Sequence, residues 1–131
     1  MIEQEFVPYE EAFALKELGF NEPCLGYYLC RNSAFGIDDL EITTECIDLV
    51  RYDYASCVVP TFSQAFRWFR EKYGLYSCIM YSSDGIIKGG YSPMIDVMKP
   101  HKATLDLNTY DIYKEAELEC LKKLIEIVKT V

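Results

Sequence analysis

The sequence predicts an α+β fold in which a mainly antiparallel sheet of four to five strands carries about three helices, mostly on one face. Half of the 131 residues are hydrophobic and 15% are aromatic, which excludes a disordered chain. Two segments join a helix to a strand, and a C-terminal segment has a clear helical period. A chain of this length has the size of one domain, so we expect a single domain over residues 1–131.

The C-terminal segment, residues 111–129, predicts an amphipathic helix that is central in the fold. Its charged side chains collect on the arc opposite a wide apolar face. Asp111 is the expected N-cap. Glu117 lies inside the apolar stripe, so its carboxylate must either reach solvent at the rim of the first turn or be paired. We expect it to reach solvent, because carboxylates are rarely buried. The apolar face comprises Leu118, Leu121, Leu124, Ile125 and Val128.

Residues 9–18 predict the first helix. Pro8 suits its opening turn, and Gly19 suits a left-handed cap at its end. Residues 24–31 then predict a short strand with aromatic content, including Tyr27 and Tyr28.

Residues 32–58 alternate through Leu40 and Ile42, which predicts a second strand, and a third strand is predicted from about Leu49 or Tyr54 to Val59. This segment contains several acidic residues and a single basic residue, Arg51. They indicate either a charged sheet edge that resists aggregation or an acidic docking surface for a partner. The acidic candidates are Asp38, Asp39, Glu41, Glu45, Asp48 and Asp53.

Residues 62–73 predict a second helix, which Gly74 ends. Trp68 lies about 120° from the centre of its apolar arc, calculated from the helical period, so it flanks the core face. Two interpretations stay open for Trp68. It packs under a neighbouring loop, or it joins Arg67 as an anchor for a partner or a stacking surface for a ligand.

Residues 75–82 form the clearest strand pattern, and Ser83-Asp84-Gly85 predicts a hairpin turn after it. The return strand begins at Ile86, and Gly89-Gly90 suggests a bulge or kink before a further strand segment at residues 93–97. Residues 104–107 predict a brief last strand before the C-terminal helix.

The net charge of −8 is divided unevenly along the chain. Residues 1–65 hold twelve acids and three bases, giving −9, whereas residues 66–131 hold nine acids and ten bases, giving +1. Direct nucleic-acid binding needs a basic stripe, so this balance argues against it and leaves room for a basic partner. Neither a signal peptide nor a membrane-spanning run is expected, and we predict a cytoplasmic protein.

The sequence contains no pattern that predicts catalysis, a metal site or a cofactor. A nucleophile needs a neighbouring base, and the single histidine, His101, lies in a segment bounded by proline and lysine. No C-x-x-C or glycine-rich phosphate-binding motif occurs, and the six cysteines are expected to be mainly small buried side chains without disulfides. The sequence therefore favours a non-enzymatic role.

Three segments resemble a family of short uncharacterised proteins from gut bacteria and their phages and mobile elements. The first comprises PYEEA at 8–12 and LKELGFNEPC at 15–24. The others are QAFRWFREKYG at 64–74 and YKEAELECLKKLIEIVK at 113–129. The match covers about half of the chain and leaves out the acidic residues 32–58. The resemblance implies a phage or mobile-element accessory but brings no activity, cofactor or site residue.

The leading hypothesis is an interaction protein that binds a host protein with its acidic half, as an inhibitor or a nucleic-acid mimic. The alternative is a small-molecule or nucleotide-binding or sequestering domain. Its expected stacking residues are Tyr27, Tyr28, Arg67 and Trp68. Self-association through the aromatic surface is a third reading.

Overall fold

The computed structural model describes residues 2–29, 40–47, 55–82, 89–97, 102–106 and 108–130. These residues form three α-helices, a short 3-10 helix and two antiparallel sheets, so the predicted α+β class is confirmed. The chain divides into two compact units, Met1–Ser63 and Gln64–Val131. The expectation of one domain over residues 1–131 stays a prediction. No helix within these described ranges has the length and apolar character needed to cross a bilayer.

The first unit contains a three-stranded sheet and one α-helix. The 3-10 helix Ile2–Glu5 precedes α1 (Tyr9–Glu17), and the strands are β1 (Cys24–Leu29), β2 (Leu40–Ile47) and β3 (Ala55–Val59). The strand order is β2-β1-β3, with β1 antiparallel to both neighbours. Helix α1 packs on β3. The helix and all three strands occur where the sequence predicted them.

Helix α1 ends as its sequence predicted, at a glycine with positive φ. Gly19 has φ 99°, its N–H donates to the Lys16 carbonyl, and the Phe20 N–H donates to the Leu15 carbonyl at 2.9 Å. These two bonds make a Schellman motif, which satisfies carbonyls that the helix end would leave without partners. Phe20 is buried, so the cap also directs an apolar side chain into the core.

Helix α2 (Phe62–Tyr73) begins and ends where the sequence predicted, and Gly74 has φ 66° after its last residue. Phe62, Ala65 and Phe69 are buried, as the helical period requires for one apolar face.

The second unit contains most of α2, from Gln64 onward, together with β4 (Leu75–Ser82), β5 (Gly90–Val97), β6 (Lys102–Asp106) and α3 (Tyr113–Lys129). Its sheet has the order β4-β5-β6, and both pairings are antiparallel. Helix α3 packs on β4 and β5. Leu121, Leu124 and Ile125 of the predicted apolar face are buried, whereas Leu118 and Val128 are half-buried, so the predicted face of this helix is confirmed in part. Its central position in the whole chain stays a prediction.

Four details of the sequence analysis are corrected. The strands form two sheets where one was expected, because β1 pairs with β2 and β3, whereas β5 pairs with β4 and β6. Ile112, not Asp111, occupies the N-cap position of α3, without a side-chain cap bond. Gly90 pairs with Ser82 in unbroken register, so the bulge expected there is absent from the described strand. The last strand begins at Lys102, two residues early. The expected turn at residues 83–85 and the start of the return strand lie outside the described residues.

Glu117 is paired, and the expectation that it escapes to the rim was wrong. The residue is 8% exposed, and its carboxylate accepts a hydrogen bond from the Lys114 ammonium at 3.0 Å. The two residues are three positions apart, so they lie on the same side of the helix. The flexible lysine stem lets the cation reach a carboxylate that the backbone places within the apolar stripe.

We expect the Lys114–Glu117 pair to stabilise the fold more than an exposed pair on the same helix. Removal of the lysine leaves a nearly buried carboxylate without this partner. A double-mutant cycle with Lys114→Ala and Glu117→Gln is expected to give a coupling of about 1 kcal/mol in urea unfolding. The control is Glu119–Lys122, whose side chains are 40% and 47% exposed and whose atoms are 3.5 Å apart. Its coupling should be about 0.2–0.5 kcal/mol, and equal couplings would contradict the prediction.

Candidate functional site

The structure describes only part of the predicted acidic surface. Glu41 lies on β2 with a half-buried side chain, directly opposite Tyr27 on β1. Glu45 also belongs to β2. The other four acids, Asp38, Asp39, Asp48 and Asp53, lie outside the described residues, so a single negative face over residues 38–53 stays a prediction.

The two strand tyrosines proposed as ligand-stacking residues lie on opposite faces of the first sheet, because side chains alternate along a strand. Tyr27 is half-buried and pairs with Glu41 and Val58. Tyr28 is 7% exposed and packs edge-on against Tyr9, with ring centroids 5.1 Å apart. A single stacking surface made of both tyrosines is therefore not formed.

Burial gives Tyr28 an altered acidity. Loss of hydration raises the pKa of its hydroxyl, and the nearby Cys57 and Glu11 raise it further. Glu11 is 7% exposed and Cys57 is fully buried. The phenol is therefore neutral near pH 7 and acts as a core side chain with a polar end.

Trp68 is also a core side chain. It is 5% exposed, and its ring lies edge-on to Phe69 at 5.1 Å and to Tyr73 at 5.4 Å. The Lys72 ammonium lies 5.0 Å from the ring centroid, a cation–π distance. Arg67, its expected companion, is exposed. Trp68 thus presents little surface to a partner or a ligand, whereas the Arg67 side chain reaches solvent.

An acidic stripe on α1 was missed by the sequence analysis. Glu10, Phe13 and Glu17 are all exposed, and their spacing of three and four residues places them on one side of the helix. Phe13 is 40% exposed, stacks on Tyr9 and lies 5.9 Å from the Lys16 ammonium. We call these three residues the α1 stripe. The signal was present in the sequence as an aromatic residue between two carboxylates at helical spacing.

The uneven charge follows the division of the chain into compact units. No charged residue occurs at positions 64 and 65, so the first unit carries the −9 and the second the +1. Glu3 and Glu5 on the 3-10 helix are exposed as well. The acidity therefore belongs to one structural unit and includes at least four exposed carboxylates.

The second sheet has an exposed apolar face, which the sequence analysis also missed. Ser77 and Ile95 are paired on the side of α3, so Tyr76, Cys78 and Met80 point to the other side. Tyr76 is 44% exposed and Met80 is 49% exposed. The face contains a shallow depression of about 280 Å³. It is lined by Tyr76, Ser77, Cys78, Met80, Met94 and Asp96. Alternation within residues 75–82 was the signal that could have revealed this face.

Four cysteines are free thiols, three of them buried (Cys24, Cys57 and Cys120) and one exposed (Cys78). Burial raises the pKa of the Cys120 thiol to about 11, although a hydrogen bond from Ser77 opposes the shift. A thiol with that pKa is protonated at neutral pH and is a poor nucleophile. No group of three or more metal-binding side chains occurs in the part of the chain that the structure describes. His101 lies outside it.

Comparison of the chain with protein-family models, curated proteins and solved structures finds no match.

We expect Cys120 to make the fold less stable as the pH rises from 8 to 10. The ordinary pKa of the thiol is 9.0 and the folded value is about 11, so the unfolded chain releases the proton first. Stability from the neutral thiol is complete below pH 9 and is lost between pH 9 and 11. Urea unfolding of the Cys120→Ala variant should therefore show, between pH 8 and pH 10, a loss of stability that is smaller by about 1 kcal/mol. Identical pH profiles for the variant and the wild type would refute the shift.

Proposed function

We propose that this protein is a non-enzymatic interaction protein, an accessory of a phage or mobile element, whose acidic first unit binds a basic surface of a host protein. The proposal rests on one observation. The acidic and the nearly neutral parts of the sequence coincide with the two compact units of the structure. A unit with a charge of −9 attracts a basic partner over several ångströms and raises the rate of association. A nearly neutral second unit adds no such attraction.

The α1 stripe is the part of the acidic unit that best suits a docking role. Aromatic residues supply much of the binding energy in protein interfaces, and a surrounding rim of charge supplies orientation and specificity. Phe13 is the aromatic residue of the stripe, and Glu10 and Glu17 are its two charges. Glu3 and Glu5 add to the negative potential of the same unit.

We expect capture of a host protein to depend on the α1 stripe and on low salt. The bait is the full chain, immobilised in lysate of a gut bacterium at about 0.1 M salt and at about 1 M salt. The Debye length falls from about 10 Å to about 3 Å between these conditions, so an electrostatic complex should be lost at the higher salt. The variant Glu10→Gln/Glu17→Gln and the variant Phe13→Ala should each lose the captured protein.

The matched control is Glu71→Gln/Glu115→Gln, which changes the net charge by the same amount in the second unit. Both of these glutamates are exposed. Capture that survives in the α1 variants, or that disappears equally in the control, would contradict the proposal. Displacement of the captured protein by duplex DNA would identify it as a nucleic-acid-binding protein and support the mimic form of the hypothesis.

The alternative is a domain that binds a small molecule or nucleotide, and the depression on the second sheet supports it. Its volume of about 280 Å³ lies just below the roughly 300–1,000 Å³ usual for ligand sites. A ligand at 100 times its dissociation constant should stabilise the fold by about 2.7 kcal/mol, which a thermal shift detects. A metabolite and nucleotide panel is the test, with Tyr76→Ala expected to abolish any shift. A flat response across the panel would leave the interaction protein as the supported function.

A further inference from the structure

Strand β4 is an edge of the second sheet. Its eight residues, LYSCIMYS, include no charge, no proline and no glycine. Within the described residues β5 is the only strand that pairs with β4, so one edge of β4 has no strand beside it. Natural proteins usually blunt such an edge with lysine, proline, a bulge or a covering element. The sequence of β4 supplies none of the residue-based devices.

The regular geometry of β4 makes this edge suitable for pairing. All eight of its residues pair with β5 from Leu75↔Val97 to Ser82↔Gly90 without a register shift. The other three strand pairings, β1–β2, β1–β3 and β5–β6, each contain one shift. Bulges twist an edge away from a new partner, and β4 lacks one.

The other sheet edges are less open to pairing. In the second sheet, β6 contains Lys102 and Asp106. In the first sheet, β2 contains Glu41 and Glu45, and β3 is only five residues long and is packed by α1. Among the described strands, β4 therefore combines length, regularity and absence of charge.

We propose that β4 pairs antiparallel with β4 of a second copy of this chain, across a two-fold axis, to make one continuous six-stranded sheet. Across a two-fold axis the same strand of each copy forms the interface. Two-fold symmetry is the commonest symmetry of homodimers. The inference is independent of the proposed function, because it concerns the second unit and not the acidic one.

The absence of charge on β4 permits a second copy beside it, although the −8 of each whole chain opposes the association of two copies. The strand has no charge that would repel its own copy, and the second unit as a whole carries only +1. The uncharged strand matches another uncharged strand.

The exposed side chains set the register. Residues opposite each other in an antiparallel pair point to the same face, so pairing residue 78 with residue 78 places Tyr76 opposite Met80 of the second copy. These are the two large exposed apolar side chains on this face of β4, at 44% and 49%. In this register Tyr76 of each copy contacts Met80 of the other, so the two-fold axis produces two sulfur–aromatic contacts. The two α3 helices then lie on the same side of the joined sheet.

The first test combines sedimentation with chemical cross-linking of the full chain. We expect a dimer in the micromolar range by sedimentation velocity. In this register the two Cys78 residues face each other with Cα atoms about 4.5–5.5 Å apart, which a disulfide spans. Diamide should take two electrons and two protons from the two thiols and leave a Cys78–Cys78 bond, identified by mass spectrometry of the digested dimer. A chain that stays monomeric, or a dimer without this bond, would overturn the proposal.

The second test uses lysine to block the edge. Met80→Lys places a charge at the new strand junction in both copies and should raise the dimer dissociation constant at least about tenfold. The matched control is Ile112→Lys, at a residue that is 55% exposed and lies outside the strands. Both positions are exposed, so the monomer fold should survive, which circular dichroism checks. Equal weakening by the two variants, or a chain that binds extended peptides but never its own copy, would count against the β4 dimer.

Discussion

Burial of the apolar face of α3 on β4 and β5 is the interaction on which the second unit depends. Leu121, Leu124 and Cys120 lose all of their exposed surface there, and Ser77 on β4 meets the Cys120 thiol. Because side chains alternate along a strand, α3 covers one face of β4 and leaves Tyr76, Cys78 and Met80 on the other. The exposed Tyr76 and Met80, and the depression between the strands, are therefore consequences of where the helix packs.

Buried polar groups in both units are accommodated locally. Glu117 lies in the apolar stripe of α3, where its carboxylate accepts a hydrogen bond from Lys114, one turn earlier. Burial raises the pKa values of Tyr28 and Cys120, so both stay neutral further into the alkaline range than exposed groups of their kind. Groups held in this way stabilise a core and are poor sites for proton transfer or nucleophilic attack at neutral pH. The candidates for a functional role are therefore the exposed features of the molecule.

Those exposed features differ between the two compact units. The first unit holds the surplus acidity and the α1 stripe, whereas the second is almost neutral and holds an open sheet face and an uncharged strand edge. Long-range electrostatic attraction suits recognition of a basic partner, and main-chain pairing suits a partner with the same uncharged strand. The two proposals thus use different physical forces on different units, and a failure of one leaves the other intact.

The sequence by itself determined the elements. Period, glycine caps and turn residues placed α1, α2 and β4 within a residue of their observed bounds, because these signals act within a few positions of the chain. The tertiary structure alone decided that the strands form two sheets, that Glu117 and Trp68 are almost fully buried, and that Tyr28 is buried whereas Tyr27 is half-buried. Strand partners and side-chain neighbours come from residues distant in sequence, and a local pattern contains no record of them.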